Sequence, residues 1–471
     1  MINAELQSVK TAPSRGRFIN SGNGPSLQPV DIGHKDYTGL VDADTAFWSL
    51  IRKDSLADMI ADASFISAYG KKTEAFTSEM NKLRFGQGLS CVYVNPTGRC
   101  NLNCEYCYIP EDIRRDGPVM ERKDLFNALD KLVAYFKRNL PDGRKPSIIF
   151  HGAEPMLERE SVFAAIDAFS DYFRFGIQSN GTLIDKAAAD FIIKTGTGIG
   201  LSLDAPLDEI ASLTRRNWEG AGVYRKVLDA IDLFKGYHGM NVICTMSSAN
   251  MKHLEALADF FYEREIPAVM FNLLRCTLPR SRSIKPDDAE IFPFFEKAIL
   301  RTHELYKKHG RKMIVANFAN ILLAIMAPAA RKLMCDISPC GGGRVFFAMG
   351  PDGGIYPCSE FIGLEEFRGG NLFTDDIDAV LETEPFRKVT GRKVEDIVPC
   401  NKCAIRHFCG SPCPAEAYTM NGGMQKTGAF CEFYEEQVRF AMRLIADGIA
   451  EDFLWDAWDK DTHTTFSADM V

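Results

Sequence analysis

The period of the apolar positions changes along the chain, and the changes divide it. From about residue 89 to 310, short β-rich runs alternate with longer stretches of helical spacing. Strands are expected at Cys91–Asn95, Ser147–His151, Phe175–Ser179, Ile199–Asp204, Val242–Met246 and Ala268–Leu274. Between them Leu125, Leu129, Leu132, Val133 and Phe136 share one helical face, as do Val227, Leu228, Ile231 and Phe234. Met251–Glu263 and Ile291–Lys308 continue the alternation. Strands alternating with helices indicate βαβ units around a parallel sheet. Six such units predict an α/β fold, a partial (β/α)6 TIM-like barrel, with chemistry at the C-terminal ends of its strands.

The flanks read differently. Through Gly39 the chain is rich in Gly, Ser and Pro and is expected to be irregular or mobile. Asp42–Ala63 and Phe76–Phe85 carry helical spacing, with Ala46, Phe47, Leu50 and Ile51 followed by Leu56, Met59 and Ile60. Beyond about 320, periodicity gives way to Cys, Gly and Pro. A loop-rich region of this kind needs more than an apolar core to fold, and bound metal clusters would serve. Glu432–Trp458 returns to helical spacing, and the final dozen residues read as frayed. The expected division is an extension over 1–88, a core over 89–320, a cysteine-rich domain over 321–440, and a helix and tail over 441–471.

Composition narrows the class. A chain of 471 residues, 46% hydrophobic and 25% charged, is an ordinary globular protein of two or three domains. A net charge of -8 argues against a general nucleic-acid binder. The opening stretch has no apolar core, so a secretory signal is not expected. The longest apolar run, Ile321–Ala330, is about half the roughly 20 residues of a membrane span. No membrane partner and a cytoplasmic location are expected. Fourteen cysteines in such a chain point to metal or redox chemistry, and eight of them fall between Cys335 and Cys431.

The first cluster is Cys100, Cys104 and Cys107, spaced CxxxCxxC directly after the first strand. Three thiolates on a four-iron cubane leave one iron open to a small molecule. Structural zinc loops favour four closed ligands and fit this triplet poorly. With Tyr106 before the last cysteine, the loop resembles the cluster-binding loop of the radical S-adenosylmethionine superfamily. The resemblance implies that the open iron chelates the amino and carboxylate groups of S-adenosyl-L-methionine. After the second strand, His151-Gly152-Ala153-Glu154-Pro155 resembles the superfamily's GGEP motif, with Ala153 in place of the second Gly. Small residues there let backbone approach a ligand, and Glu154 would suit its ammonium group. Gln178-Ser179-Asn180-Gly181 resembles a further cofactor turn, and Ser202-Leu203-Asp204 resembles the family's SLDG. In relatives a Ser and an Arg of this region contact the methionyl carboxylate, and Arg suits a planar bidentate contact. Ser202 with Arg216 is the first assignment, and Arg215 the alternative.

The C-terminal pattern runs Cys340, Gly353, Cys358, then Cys400, Cys403, Cys409, Cys413, and finally Cys431. CxxC arms are also zinc-like. The whole pattern, however, resembles the extension known as SPASM, which holds two auxiliary clusters. By that resemblance Cys335, Cys340, Cys358 and Cys413 would hold one, and Cys400, Cys403, Cys409 and Cys431 the other. Eight ligands complete two cubanes and assign them to electron transfer. Should Cys335 not ligate, one iron stays open for substrate. Cys91 and Cys244 lie in strands and read as small buried hydrophobes.

Residues from about 90 to 435 thus resemble radical S-adenosylmethionine/SPASM enzymes that modify peptides or proteins. The implied cofactors are S-adenosyl-L-methionine and three 4Fe-4S clusters, one catalytic and two auxiliary. The implied partners are a substrate peptide or protein and a flavodoxin- or ferredoxin-type electron donor. Such cofactors carry the hard chemistry, while the protein orients substrate. One subclass cross-links a cysteine-containing ribosomal peptide by thioether bonds; another converts a sulfatase Cys or Ser to formylglycine. The sulfatase-maturating relatives carry Asp directly after the extension's second cysteine as their proposed base, where this chain has Ser359 and then Glu360. That departure, with the long extension over 1–88 as a possible peptide-recognition region, favours the cross-linking reading. A non-catalytic iron–sulfur electron carrier is the alternative from another class, in which Glu154 and Ser202 would have no purpose.

Overall fold

The computed structural model describes residues 19–20, 26–141, 143–409 and 413–459. Two compact units share them. One takes residues up to 87, 318–340 and those from 392; the other takes 88–317 and 341–391.

The first unit opens with an antiparallel sheet of β1 (Ile19–Asn20), β2 (Ser26–Val30), β3 (Tyr37–Asp42) and β4 (Trp48–Arg52), in that order. Two sequence expectations are corrected here. The opening through Gly39 contributes β2 and half of β3, although residues 1–18 and 21–25 lie outside the described residues. Asp42–Ala63 is not one helical stretch: Val41 pairs with Trp48 and Thr38 with Ile51, leaving the helix to Leu56–Ala61. Trp, Leu and Ile suit a pleated, half-buried surface, and cross-strand pairing overrides helical spacing. Helix Ala63–Phe85 starts where Asp62 Oδ1 accepts from Ser64 N at 2.8 Å, and it is longer than the Phe76–Phe85 segment expected. Leu27, Leu40, Ile51, Leu56 and Tyr69 form the small core, with Phe47 edge-on to Tyr69 at 4.9 Å. Later in the chain the unit adds helix Cys431–Ala446, whose Phe440 stacks on Phe318 at 5.2 Å. The frayed tail expected over the last dozen residues lies outside the described residues.

The second unit is the α/β barrel. β5 (Cys91–Val94), β6 (Ser147–Phe150), β7 (Arg174–Ser179), β8 (Gly198–Ser202), β9 (Met240–Met246) and β10 (Ala268–Leu273) are parallel neighbours in chain order. All six expected strands are present. Runs such as Ser-Ile-Ile-Phe are buried on both faces, as parallel strands under helices require. The intervening helices start and stop on local signals. Helix Lys186–Thr195 begins where Asp185 Oδ1 accepts from Ala188 N at 2.8 Å, and ends at Gly196 with φ 65°. Helix Arg122–Asn139 buries Leu125, Leu129, Leu132 and Phe136, each contributing about 1.5–3 kcal/mol.

The sheet continues past both ends of the six. β11 (Ile314–Val315) runs parallel to β10. At the other edge β12 (Phe346–Met349) joins β5 in parallel, followed by antiparallel β13 (Gly354–Tyr356) and β14 (Gly370–Asn371). Part of the cysteine-rich region therefore extends the barrel sheet. Among the described residues no helix is long and apolar enough to cross a membrane.

Candidate functional site

The cysteine loop leaves the C-terminal end of β5, and its backbone is pinned at many points. Cys100 N donates to Arg114 O at 2.9 Å, Asn103 N to Arg216 O at 2.7 Å, and Glu105 N to Thr214 O at 2.8 Å. Trp218 Nε1 donates to Cys100 O at 2.8 Å. The Arg114 guanidinium holds Ile109 O and Leu102 O, and Arg280 holds Asn103 Oδ1 at 2.7 Å and Glu105 Oε2 at 2.6 Å. Burial pushes the Cys100 thiol up to about 12 and Cys107 up to about 11. Bound iron would reverse that preference, since coordination deprotonates a thiol outright. Three sulfurs on so rigid a loop fit a cluster.

Glu154 lies beside this loop with no exposure. Its Oε1 accepts from Ser179 Oγ at 2.8 Å and Met156 N at 3.0 Å, and its Oε2 from Asn180 N at 2.8 Å. Its own N–H donates to Arg99 O at 3.0 Å. Asn180 Nδ2 then reaches Asn101 Oδ1 at 2.8 Å and Cys100 Sγ at 3.8 Å. Glu154, Ser179 and Asn180 thus form one brace tying β6 and β7 to the cysteine loop. The carboxylate is engaged by the protein itself, a departure from its expected duty toward an ammonium group. Gly152 is partly exposed at φ 104°, and a Cβ there would stand 2.3 Å from the Asn95 side chain. Only glycine fits, and its backbone faces the site with Ala153 beside it.

A second network closes the other side. Tyr106 OH donates to Asp204 Oδ2 at 2.6 Å and accepts from Arg215 Nη1 at 2.6 Å. Asp204 Oδ1 accepts from Thr245 N at 2.9 Å. Arg215 is buried, and its Nε has no hydrogen-bond partner. Arg216 is exposed, its Nε turned to the Ser212 carbonyl. Of the two arginines, Arg215 is the one beside Cys104 and Tyr106, so the first assignment of Arg216 has no geometric support.

The ladder register adds Tyr93, Thr245 and Asn272, which the motifs left out, to Gln178, Ser202 and His151, which they contain. Tyr93, Gln178, Ser202, Thr245 and Asn272 occupy inward positions near the C-terminal ends of their strands, and His151 follows β6. All six are partly exposed while their strand neighbours are buried. Each strand therefore brings one neutral hydrogen-bonding side chain to this face near its C-terminal end, with Ile243 beside Thr245 on β9. Burial drives the His151 pKa down to about 4, so it too is uncharged at neutral pH. Alternation within each expected strand carries this signal, since residues of one face recur at every second position.

The C-terminal cysteines fall in both units. Cys400, Cys403, Cys409 and Cys431 line one cavity of about 30 Å³ in the first unit, walled by Val394, Ile405 and Tyr434. Among the described residues no three His, Cys, Asp or Glu side chains converge on a single-ion site. A cubane spreads its ligands over separate irons, and four cysteines around one cavity suit that wider cage. Cys335, Cys340 and Cys413 also belong to the first unit, and Cys358 to the barrel unit. Gly353, at φ 79°, makes the tight turn into β13, where a Cβ would stand 2.5 Å from Asn371 Oδ1. Glu360, two residues after Cys358, pairs with Arg275 at 3.7 Å. Its charge acts on both Cys107 and Tyr108.

A six-stranded parallel barrel with a three-cysteine loop on its C-terminal rim, joined to a cysteine-rich extension, defines an iron–sulfur radical enzyme. Residues 94–261 match the radical SAM superfamily, and residues 340–404 the SPASM iron–sulfur cluster-binding domain. An uncharacterized protein of Archaeoglobus fulgidus is 39% identical over 386 residues, 82% of this chain and 89% of that one. The cysteine-type anaerobic sulfatase-maturating enzyme of Clostridium perfringens strain 13 is 24% identical over 76% of this chain and 97% of its own. Among solved structures, anSMEcpe with bound AdoMet superposes at TM-score 0.65 and 21% identity, covering 79% of this chain and 97% of that one. Streptococcus suis SuiB bound to precursor peptide SuiA superposes at 0.54 and 12%, covering 83% and 95%. The chain belongs to the radical SAM superfamily and carries a SPASM domain; it is an enzyme that uses S-adenosylmethionine and iron–sulfur chemistry.

Proposed function

We propose that the protein matures a cysteine-containing ribosomal peptide, joining a cysteine sulfur to a carbon in a thioether-type cross-link. The observation that carries the reading is the braced Cys100–Cys107 loop at the mouth of a barrel lined by neutral hydrogen-bonding side chains. Relatives support a peptide substrate: the solved complexes include anSMEcpe with a Cp18Cys peptide and SuiB with its precursor. When bound, an iron–sulfur cluster there would supply the reductive cleavage of S-adenosylmethionine that makes hydrogen abstraction from an unactivated carbon possible. Cys100, Cys104 and Cys107 would hold that cluster. Gly152, Ala153, Ser202 and Arg215 would face the nucleotide and methionyl groups, while Glu154, Ser179, Asn180 and Tyr106 would fix the loop. Cys400, Cys403, Cys409 and Cys431 would hold one auxiliary cluster and Cys335, Cys340, Cys358 and Cys413 another, making three in all. Residues 1–88 would serve as the extension, 89–320 as the core and 321–440 as the auxiliary domain. A flavodoxin- or ferredoxin-type donor and a cytoplasmic setting belong to the same reading.

One observation favours a second reading, formylglycine formation. Glu360 brings a carboxylate to Cys107 and Tyr108, held by its pairing with Arg275. It could accept the substrate proton that the neighbouring Asp takes in sulfatase-maturating relatives, and several such enzymes are among the relatives. The deciding experiment incubates the reconstituted, reduced protein with S-adenosylmethionine and two kinds of peptide: the product of any short cysteine-rich open reading frame found beside its gene, and a sulfatase-derived one. Mass spectrometry separates the outcomes. A cross-link removes two hydrogens and keeps sulfur, whereas formylglycine formation replaces sulfur by oxygen with loss of two hydrogens. Loss of sulfur from either peptide would overturn the cross-linking proposal.

A further inference from the structure

Arg406 is buried, 4% exposed, and borders the cavity that Cys400, Cys403, Cys409 and Cys431 line. The arginine and all four cysteines belong to the first unit. Local structure fixes the side chain. Arg406 opens the short helix Arg406–Cys409 and its N–H donates to Cys403 O at 3.4 Å, while Cys403 N donates to Cys400 O at 2.9 Å. The guanidinium folds back over the same turn. Its Nη1 donates to Asn401 O, between Cys400 and Cys403, at 2.8 Å, and its Nη2 to Asp44 Oδ1 at 2.5 Å. A guanidinium is planar and rigid, so two committed nitrogens set the direction of the third. That third donor, Nε–H, is shielded from solvent and has no acceptor among the described residues.

Buried donors in native structures are paired, and one left over calls for a partner. Around the cavity Val394 and Ile405 are apolar, and Glu435 Oε1 already accepts from Arg439 Nη2 at 2.6 Å. The cavity concentrates four sulfurs. A thiol accepts a hydrogen bond weakly, whereas anionic sulfur on iron accepts a charge-assisted one. We propose that Arg406 Nε–H donates a hydrogen bond to a sulfur of the auxiliary iron–sulfur site held by Cys400, Cys403, Cys409 and Cys431, and thereby raises its reduction potential. The proposal rests on the cluster-ligand assignment given above. Cluster potential follows net charge, hydrogen bonds to sulfur and exposure. Reduction adds one electron to the cluster and breaks no bond, and a fixed donor at sulfur stabilises the added negative charge. Asp44 balances the guanidinium charge, so the effect belongs to the directed bond and not to a free cation. A raised potential suits a site that accepts electrons.

The test is a potentiometric titration of the anaerobically reconstituted full chain, followed by electron paramagnetic resonance, with iron measured on every sample. The signal of this site is the one lost when Cys400 and Cys403 are replaced together by Ala. Arg406→Lys keeps a cation beside Asp44 but has carbon where Nε stood; Arg406→Gln is neutral but keeps an N–H donor at the Nε position. The expected result is wild-type iron in both, with the potential of this site lowered in Arg406→Lys and close to wild type in Arg406→Gln. At a fixed poise the reduced-to-oxidised ratio in the lysine variant falls about tenfold, which is about 59 mV for a one-electron couple. The other clusters keep their potentials. An unchanged potential in Arg406→Lys would overturn the proposal, and so would an equal drop in both variants. If Arg406→Lys loses iron, pulsed resonance on protein carrying heavy-nitrogen arginine decides. A nitrogen coupling on this signal that vanishes in Arg406→Gln supports the bond, and a wild-type signal without that coupling overturns it. Should the double cysteine variant keep every signal and all its iron, the ligand assignment itself fails, which tells the two failures apart.

Discussion

Glu154 separates two roles that a buried carboxylate beside a cofactor can play, and Glu154→Gln tests which it has. Three donors converge on its two oxygens: Ser179 Oγ and Met156 N on Oε1, Asn180 N on Oε2. Burial raises its pKa while these bonds and Arg215 lower it. With every partner a donor, the arrangement suits the anion. Glutamine offers one oxygen, which best replaces Oε1 because two donors meet there. Its amide NH2 then faces the Asn180 N–H. One hydrogen bond to a charged acceptor disappears, worth about 1.5–3 kcal/mol, and a buried donor is left unpaired at about 1–3 kcal/mol. Partial relaxation sets the expected loss at about 2–4 kcal/mol. At about 2–4 °C per kcal/mol for a domain of 150–250 residues, the barrel should melt about 4–16 °C lower. The assay is thermal unfolding of protein free of iron and of S-adenosylmethionine, so that only the brace is measured. An unchanged Tm, with a deficit appearing only when S-adenosylmethionine is added, would refute the brace and return Glu154 to ligand binding.

Three further outcomes are expected. Neutral His151, with its pKa near 4 in the fold against 6.5 in a free chain, takes up its proton more readily when unfolded; stability should therefore fall as pH drops from about 6.5 toward 4. Between pH 7 and pH 5 the loss is about 2 kcal/mol, and urea titrations at both pH values should show His151→Gln losing less. Phe47→Ala should destabilise the first unit by about 2–4 kcal/mol, because Phe47 packs on Tyr69 and Phe76, while deoxyadenosine formation without peptide persists in protein kept folded; limited proteolysis within residues 26–87 reads the first effect, and unchanged cleavage would count against it. Cys335→Ala should perturb the auxiliary-cluster spectrum and leave reductive cleavage of S-adenosylmethionine intact; an identical spectrum would mean that Cys335 is not a ligand.

The parts of this molecule that were legible in its sequence are those fixed by local spacing. CxxxCxxC places three sulfurs on one loop whatever the surroundings, and runs such as Ser147–Phe150 bury both faces, so six strands could be counted. What escaped depends on pairing between distant segments. Trp48–Arg52 has helical spacing, but the partner strand Tyr37–Asp42 decides its state. The apolar run Phe346–Met349 lies in a cysteine-rich stretch without periodicity, yet it finds an open sheet edge at Cys91–Val94. Arg215 and Arg216 make the same point at the scale of one residue. They follow helix Asp208–Thr214, where the chain turns extended and Arg216 bridges to Gly222, while its carbonyl receives Asn103 N from the cysteine loop. In extended backbone successive side chains point to opposite sides. Once the carbonyl of Arg216 is committed to the loop, one arginine must face Tyr106 and Asp204 and the other must face water. The sequence could say that only one of the pair would enter the site; the hydrogen bond from Asn103, more than a hundred residues away, decides that it is Arg215.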